Sequence, residues 1–352
     1  MYLSDLAKGL MPYTAGEQPK DQTYIKLNTN ENPYPPSPKA LEAAKEAMNR
    51  LPLYPDMNAT ALCDAIAKVN GVKPENVFCA NGSDEVLAFA FAAFFAGRTL
   101  IAPDITYSFY PTYAKLFNVD YKTVPLKADF SVDIEKMQQA AAIVLTNPNA
   151  PTGRLLETGG VEALLKHTRE NGRVMLVDEA YVAFANETAL PFLKDYDNLL
   201  IVRTLSKSHG LAGLRVGYAI GSKELIDGLN RVKDSFNSYP LDCLAQAIAK
   251  EAVLDTAYTA ETTRKVIAAR EFFVSGLKKP GIETIPSHAN FVFVKADQTD
   301  AAWVKDGLKR RGVLVRHFNG ERTAPYLRIS IGTKEDMETA LNALALVFKE
   351  SR

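Results

Sequence analysis

The middle of the chain carries short apolar runs that do not alternate with polar residues. Ala142-Ile143-Val144-Leu145 and Val174-Met175-Leu176-Val177 are the clearest. A strand turns successive side chains to opposite faces, so an unbroken apolar run needs cover on both. Strands are expected at 77–79, 100–102, 120–124, 142–146, 174–177, 199–203 and 216–220, and helical patterns separate several of them, at 83–96, 107–117, 133–139 and 161–171. This alternation predicts an α/β domain of three layers, with helices on both faces of a mostly parallel sheet.

The two ends of the chain follow other patterns. Pro33, Pro35, Pro36 and Pro38 crowd a stretch that cannot be helix interior, and a helix is expected over 38–50 with Ser37 as its N-cap. Residues 1–36 show no clear period. A helix is expected at 222–233. Past residue 240 come helices at 241–254, 257–278, 301–311 and 334–348, and short strands at 282–285, 289–294, 313–315 and 326–331. That mixture predicts a smaller α+β domain. The expected division is an N-terminal segment 1–36, a large domain 37–240 and a small domain 241–352.

Composition removes several classes. Lys and Arg number 41 against 41 Asp and Glu, so there is no basic excess of the kind that binds nucleic acid or an anionic membrane. The longest apolar stretch, 86–95, is too short to span a bilayer. Charges interrupt the opening MYLSDLAKGL, which is not expected to be a signal peptide. Cys63, Cys79 and Cys243 are too few and too scattered for a disulfide framework or a zinc site. No metal is expected, and a reducing, cytoplasmic location is.

Ligands of open parallel sheets bind beyond the carboxyl ends of the strands. Four segments there carry unusual residues. Asp178 closes the run 174–177, with Glu179 and Tyr181 after it. A carboxylate at the end of a buried strand is costly unless a cation faces it, although the position also suits a helix cap or a surface ion pair. Lys207 follows the run 199–203 and stands among Thr204, Ser206, Gly210, Gly213 and Arg215. Hydroxyls and a guanidinium can surround a phosphate, and a lysine near a cation or in an apolar pocket loses basicity and becomes an amine nucleophile. A lone lysine is otherwise a solvated surface residue. Asn81-Gly82-Ser83-Asp84-Glu85 opens a helix, where free N–H groups attract anions; it reads as well as an ordinary acidic cap. Asn147-Pro148-Asn149-Ala150-Pro151-Thr152-Gly153 is a rigid loop that either presents the Asn149 amide or is a plain turn.

Taken in order, and with Leu327-Arg328-Ile329-Ser330, these segments resemble the class I and II aminotransferases, pyridoxal-phosphate (PLP) enzymes of fold type I. Pro12-Tyr13, the stretch KLNTNENP at 26–33, Tyr54-Pro55-Asp56 and GSDE at 82–85 point to the histidinol-phosphate aminotransferase branch. His209 departs from the family, which usually has an apolar or aromatic residue there; it is expected to be a packing variation.

The resemblance implies roles for individual residues. Lys207 holds the cofactor as a Schiff base, and once freed carries the proton between the substrate α-carbon and the cofactor C4′. Asp178 keeps the pyridine nitrogen protonated, so that the ring draws in electrons. Tyr181 and Asn149 hydrogen-bond the ring hydroxyl oxygen, and Tyr107 stacks on the ring. The backbone N–H groups of Ser83 and Asp84, with Thr204, Ser206 and Arg215, bind the phosphate. Tyr54 reaches that phosphate from a partner subunit, which implies a homodimer with shared sites. Arg328 binds the substrate carboxylate, Arg316 and Tyr13 add anion contacts, and Asn30 positions the substrate. The implied reaction is amino transfer between histidinol phosphate and 2-oxoglutarate, with glutamate as the other amino compound, in histidine biosynthesis. An aromatic or broad-specificity aminotransferase and a threonine-phosphate decarboxylase-like lyase share such a cofactor site. A non-catalytic regulator of the same fold usually carries a DNA-binding segment, and no basic helix-turn-helix pattern is visible near the N-terminus.

Overall fold

The computed structural model describes residues 2–10, 12, 16–278, 281–296 and 299–350. Seven strands form its large sheet. Their order is Val77–Asn81, Val216–Gly221, Leu199–Thr204, Met175–Asp178, Ala142–Thr146, Thr99–Pro103 and Asp120–Val124. Val216–Gly221 is antiparallel to both of its neighbours, and every other pairing in this sheet is parallel.

The unbroken apolar runs are explained by what lies on each face. Ile143, Leu145, Met175, Val177, Leu199 and Ile201 point into one core, while Ala142, Val144, Leu176, Leu200 and Val202 point into another. Helices Pro38–Ala47, Thr60–Asn70 and Thr158–Glu170 cover the first face, and Gly82–Ala90, Tyr110–Leu116 and Lys223–Phe236 the second. Burying each large apolar side chain contributes roughly 1.5–3 kcal/mol relative to exposure, so neither face tolerates a polar residue in the middle of a strand.

A second sheet is antiparallel, in the order Arg316–His317, Tyr326–Ser330, Phe291–Lys295 and Thr284–Ile285. Helices Thr256–Lys278, Ala301–Arg310 and Lys334–Glu350 share a core with it through Phe273, Val304, Leu308, Met337 and Leu344. On its other face Phe293 and Tyr326 meet Phe130 of the large domain edge to face, at 5.9 and 5.4 Å.

Three features differ from the sequence expectations. The helix Thr60–Asn70 lacks a local start signal: Ala59 before it is left-handed (φ 48°) with no side-chain cap, and Asp56, four residues back, accepts from Thr60 N at 2.8 Å instead. The helix Cys243–Leu254 lies beyond the expected division at 240. Its Ala245, Ala249 and Val253 nevertheless join the large core and pack near Pro38–Ala47 and Thr60–Asn70. The N-terminal segment has structure of its own: Asp5–Gly9 is a short helix, Ile25–Lys26 pairs in parallel with Val313–Leu314, and Leu27 is buried in the small core.

Candidate active site

The parallel strands all end on one edge of the large sheet, and the antiparallel strand begins there. That topology brings the four polar segments together. Asp178 lies beside Thr146, Thr204 beside Gly217, and Asn81 beside Val216. A cavity of about 230 Å³ opens at this edge. Ser83, Asp84, Tyr107, Asp178, Tyr181, Thr204, Ser206, Lys207 and Arg215 all line it, joined by Thr29 and Glu31 from the N-terminal segment.

Asp178 is buried and closes its strand. Its Oδ2 accepts from Tyr110 Oη at 2.9 Å and its Oδ1 from Ala180 N at 3.1 Å. Burial pushes its pKa up to about 6, and the carboxylates of Asp84 and Glu179 push the same way, against the two hydrogen bonds. Such a group gains most from a positive charge placed in the cavity. Tyr110 itself is fully buried and also bonds Thr146 Oγ1 at 2.7 Å. Sequence reasoning missed Tyr110, because nothing near it in the chain marks a partner 68 residues away.

Lys207 sits in the one-turn helix Leu205–Ser208, which Thr204 caps by accepting from Ser206 N at 3.1 Å. Its Nζ donates to Thr29 O at 3.3 Å and lies 5.9 Å from the centre of the Tyr181 ring. Burial lowers its pKa to about 8; Arg328 and Arg215 add to the fall, and Glu31 and Asp84 oppose it. A fraction of the amine is therefore neutral near pH 7, ready to act as nucleophile or base.

The third corner is rich in donors. The helix Gly82–Ala90 starts there, with Gly82 at φ 77°. A Cβ on Gly82 would lie 2.6 Å from Arg215 Nη2, and one on Gly217 would lie 2.2 Å from Ser83 N. Both glycines thus clear space where the helix start, Arg215 and the hydroxyls of Thr204 and Ser206 meet. Arg215, itself left-handed at φ 56°, reaches Asp84 Oδ2 at 3.0 Å and Ser206 Oγ at 3.4 Å. Tyr107 donates to Asp84 Oδ1 at 2.8 Å.

Tyr181 is buried, and its Oη accepts from Asn30 Nδ2 at 3.0 Å. Burial raises its pKa, while Arg328 and the Asn30 bond lower it. Asn30 is fixed from three sides: Ser330 Oγ accepts from its N and donates to its Oδ1, both at 2.9 Å, and Asn290 donates to its O at 3.0 Å. Asn149 Nδ2 donates to Ile105 O and Thr152 Oγ1, both at 2.9 Å, so a donor role toward a ligand requires it to release one of them. Its Oδ1 is buried without a partner, one residue before Ala150, which lines the cavity.

The expected substrate residues Asn30, Arg316 and Arg328 are not among those that line the cavity. Arg328 and Arg316 stand opposite each other in register, and their guanidinium carbons are 5.6 and 5.8 Å from the Phe318 ring centre. Arg328 also donates to Asn28 O at 3.0 Å. Tyr54 is 84% exposed, with its ring 5.0 Å from that of Tyr239, and does not line this chain's own cavity. Tyr13 lies outside the described residues. His209 is neutral, its pKa lowered to about 4 by burial, and bonds Ser208 Oγ at 2.9 Å. It lines a separate cavity of about 440 Å³ that shares only Ala180 and Thr204 with the first.

The donor set fits a ligand with a cationic ring nitrogen at Asp178, a carbonyl carbon at Lys207 and a phosphate at the Ser83–Arg215 corner. Pyridoxal phosphate carries these three groups. The unpartnered Asn149 oxygen is a buried polar atom left for something else to satisfy.

Residues 22–344 match the family model described as aminotransferase class I and II. A protein of Acetobacter pasteurianus named histidinol-phosphate aminotransferase is 51% identical over 97% of both chains. One of that name from Clostridium botulinum (strain Kyoto / Type A2) is 48% identical over 99% of both. The crystal structure of histidinol-phosphate aminotransferase from Sinorhizobium meliloti in complex with pyridoxal-5'-phosphate superposes with a TM-score of 0.87. It covers 99% of this chain and 98% of its own at 24% identity, a likeness of fold.

Proposed function

The chain belongs to the class I and II aminotransferase family, and on that premise we propose that it moves an amino group between histidinol phosphate and 2-oxoglutarate, with pyridoxal phosphate as cofactor, in histidine biosynthesis. The observation that carries the reading is the pairing of two groups in one cavity: a half-buried lysine with its pKa lowered to about 8 and a buried carboxylate with its pKa raised to about 6, beside an anion corner. When bound, the cofactor supplies an aldehyde that condenses with amines and a ring that draws electrons from the α-carbon.

The chain's own residues do the rest. Lys207 Nζ would hold the cofactor and, once free, would serve as the base for the substrate α-proton. Asp178 holds the proton on the ring nitrogen, with Tyr110 and Ala180 N fixing its orientation. Ser83, Asp84, Thr204, Ser206 and Arg215 hold the phosphate. Tyr107, Tyr181 and Asn149 orient the ring. Arg328 and Arg316 give a doubly cationic anion site that accepts the phosphate of one substrate and the carboxylates of the other; Asn30 and Tyr13 complete it.

We assign a homodimer in which Tyr54 serves the partner's cofactor phosphate. Support comes from the exposed apolar side chains beside it in the chain, Leu51 and Leu53, each more than half exposed. The cytoplasm is the proposed compartment; among the described residues no helix is long and apolar enough to cross a membrane, and the three cysteines are free.

The test is the visible spectrum of the purified protein. Histidinol phosphate should shift the bound cofactor's absorption, and Lys207→Ala should abolish turnover. A response to phenylalanine but not to histidinol phosphate would replace this reading with a broad-specificity enzyme. Release of CO₂ in place of amino transfer would replace it with a lyase. Arg328→Ala should weaken both half-reactions; loss in one alone rules out a shared anion site.

A further inference from the structure

Cys63 and Cys79 face each other sulfur to sulfur at 3.5 Å. They are 16 residues apart in the chain, and only the packing of a helix on a strand brings them together. Cys63 lies in the first turns of the helix Thr60–Asn70, and Cys79 in the middle of the strand Val77–Asn81. Both are nearly buried, yet both line a cavity of about 200 Å³ between that helix and Lys223–Phe236. A molecule the size of water needs only about 30 Å³, so a small peroxide fits beside the sulfurs. A disulfide needs them about 2.05 Å apart, so closure asks each to move by less than about 1 Å.

We propose that Cys63 and Cys79 form a reversible oxidation site, which hydrogen peroxide closes to a disulfide and whose closure loosens the turn leading into the helix Thr60–Asn70. The hydrogen bonds set the order of events. Cys63 gives its hydrogen to Asn58 O, which leaves the Cys79 S–H to face the Cys63 sulfur; that contact, with burial, holds the Cys79 pKa well above the usual thiol value, so Cys79 keeps its proton. Cys63 therefore meets the oxidant. Its sulfur attacks one peroxide oxygen, the O–O bond breaks, an S–O bond forms, and water leaves with the thiol proton. The Cys79 sulfur then attacks the Cys63 sulfur, an S–S bond forms, the S–O bond breaks, and the departing hydroxide takes the Cys79 proton as a second water. Two thiols lose two electrons, and one peroxide becomes two waters.

The structural effect follows from the lost proton. Cys63 Sγ donates to Asn58 O at 3.4 Å, and a disulfide sulfur has no hydrogen to donate. The turn is otherwise tied by Asp56, which accepts from Asn58 N and Thr60 N, and by the buried Lys233, whose Nζ donates to Met57 O and Asn58 Oδ1, both at 3.1 Å. Closure removes one tether and draws Cys63 away from the turn.

The experiment uses the holoenzyme. After peroxide treatment, thiols titrated in denaturant should fall from three to one, and dithiothreitol should restore all three. Peptide mapping should join Cys63 to Cys79, and amide exchange at Asn58 and Thr60 should quicken. In Cys79→Ser, where nothing resolves the oxidised Cys63, dimedone should trap a sulfenic acid at Cys63, and excess peroxide should carry it on to a sulfinic acid that dithiothreitol does not restore. Three intact thiols, a link through Cys243, or loss that dithiothreitol does not reverse in the unmodified sequence would each overturn the site. A Cys63–Cys79 link with unchanged exchange at 58 and 60 would overturn its effect on the turn.

Discussion

Tyr110 Oη donates to Asp178 Oδ2 at 2.9 Å from a fully buried position on the first turn of Tyr110–Leu116. The bond opposes the effect of burial on the carboxylate. Together with Ala180 N, it lets a strand end in a buried acid without an adjoining cation.

Tyr110→Phe should therefore raise the Asp178 pKa further above about 6 and cost roughly 1–3 kcal/mol of stability, as expected for a buried hydrogen bond to an ionisable group. Urea unfolding and a pH titration of the cofactor-free protein check both parts. An unchanged midpoint with an unchanged titration would remove Tyr110 from this role.

Asp178 should also imprint a pH dependence on the cofactor-free protein. Its folded pKa, about 6, lies above the ordinary 3.8. The folded state thus binds its proton more tightly, and the stability this contributes is complete below pH 3.8 and lost as pH rises through about 6. A displacement of this size is worth roughly 3 kcal/mol. Asp178→Asn should flatten that part of the unfolding profile, measured by denaturant titration at intervals from acid to neutral pH.

Lys207 should stand out among the lysines of the cofactor-free protein in its reactivity. With a pKa of about 8, its acylation rate should reach half-maximum near pH 8. Exposed lysines should still be climbing there, because their amines lose the proton about two pH units higher. Peptide-resolved labelling with acetic anhydride gives the profile. A midpoint at the value of the exposed lysines would mean that the amine is not desolvated.

Arg203 and Glu179 form a largely buried pair in the lining of the second cavity, with Arg203 Nη2 2.8 Å and Nε 2.9 Å from Glu179 Oε2. Glu179 also accepts from Thr188 Oγ1 and Ala189 N. Glu179→Ala strands the guanidinium and should cost about 3–5 kcal/mol of folding stability. Thermal unfolding checks this, and a loss below about 1 kcal/mol would show that water reaches the guanidinium.

Arg215→Ala removes the guanidinium from the anion corner and leaves Asp84 without its 3.0 Å partner. Pyridoxal phosphate should bind roughly ten- to a hundredfold more weakly, the range for one charge-assisted hydrogen-bond donor. Cofactor titration by fluorescence measures it. Pyridoxal lacking the phosphate should bind both forms alike.

The strands were open to inference because their signal is local. Ala142–Thr146 and Met175–Asp178 are apolar at every interior position, and only a sheet covered on both faces accommodates that. The polar segments were visible for a related reason: glycine, proline and charge stand out where an apolar run stops. The helix Thr60–Asn70 escaped notice because its first N–H is held by Asp56 in the preceding turn, outside the usual cap position.

What the residue order alone settled was the covered parallel sheet, the family resemblance and most of the cavity lining around Lys207 and Asp178. Contacts between distant segments settled the rest. Tyr110 meets Asp178 across 68 residues, Asn30 meets Ser330 across 300, and Cys63 meets Cys79 across a helix–strand interface. The helix Cys243–Leu254 joins the large core despite following the last strand of that sheet. Hydrophobic periodicity reports which face of an element is buried but not which element covers it. That choice is made when the chain closes into one packing.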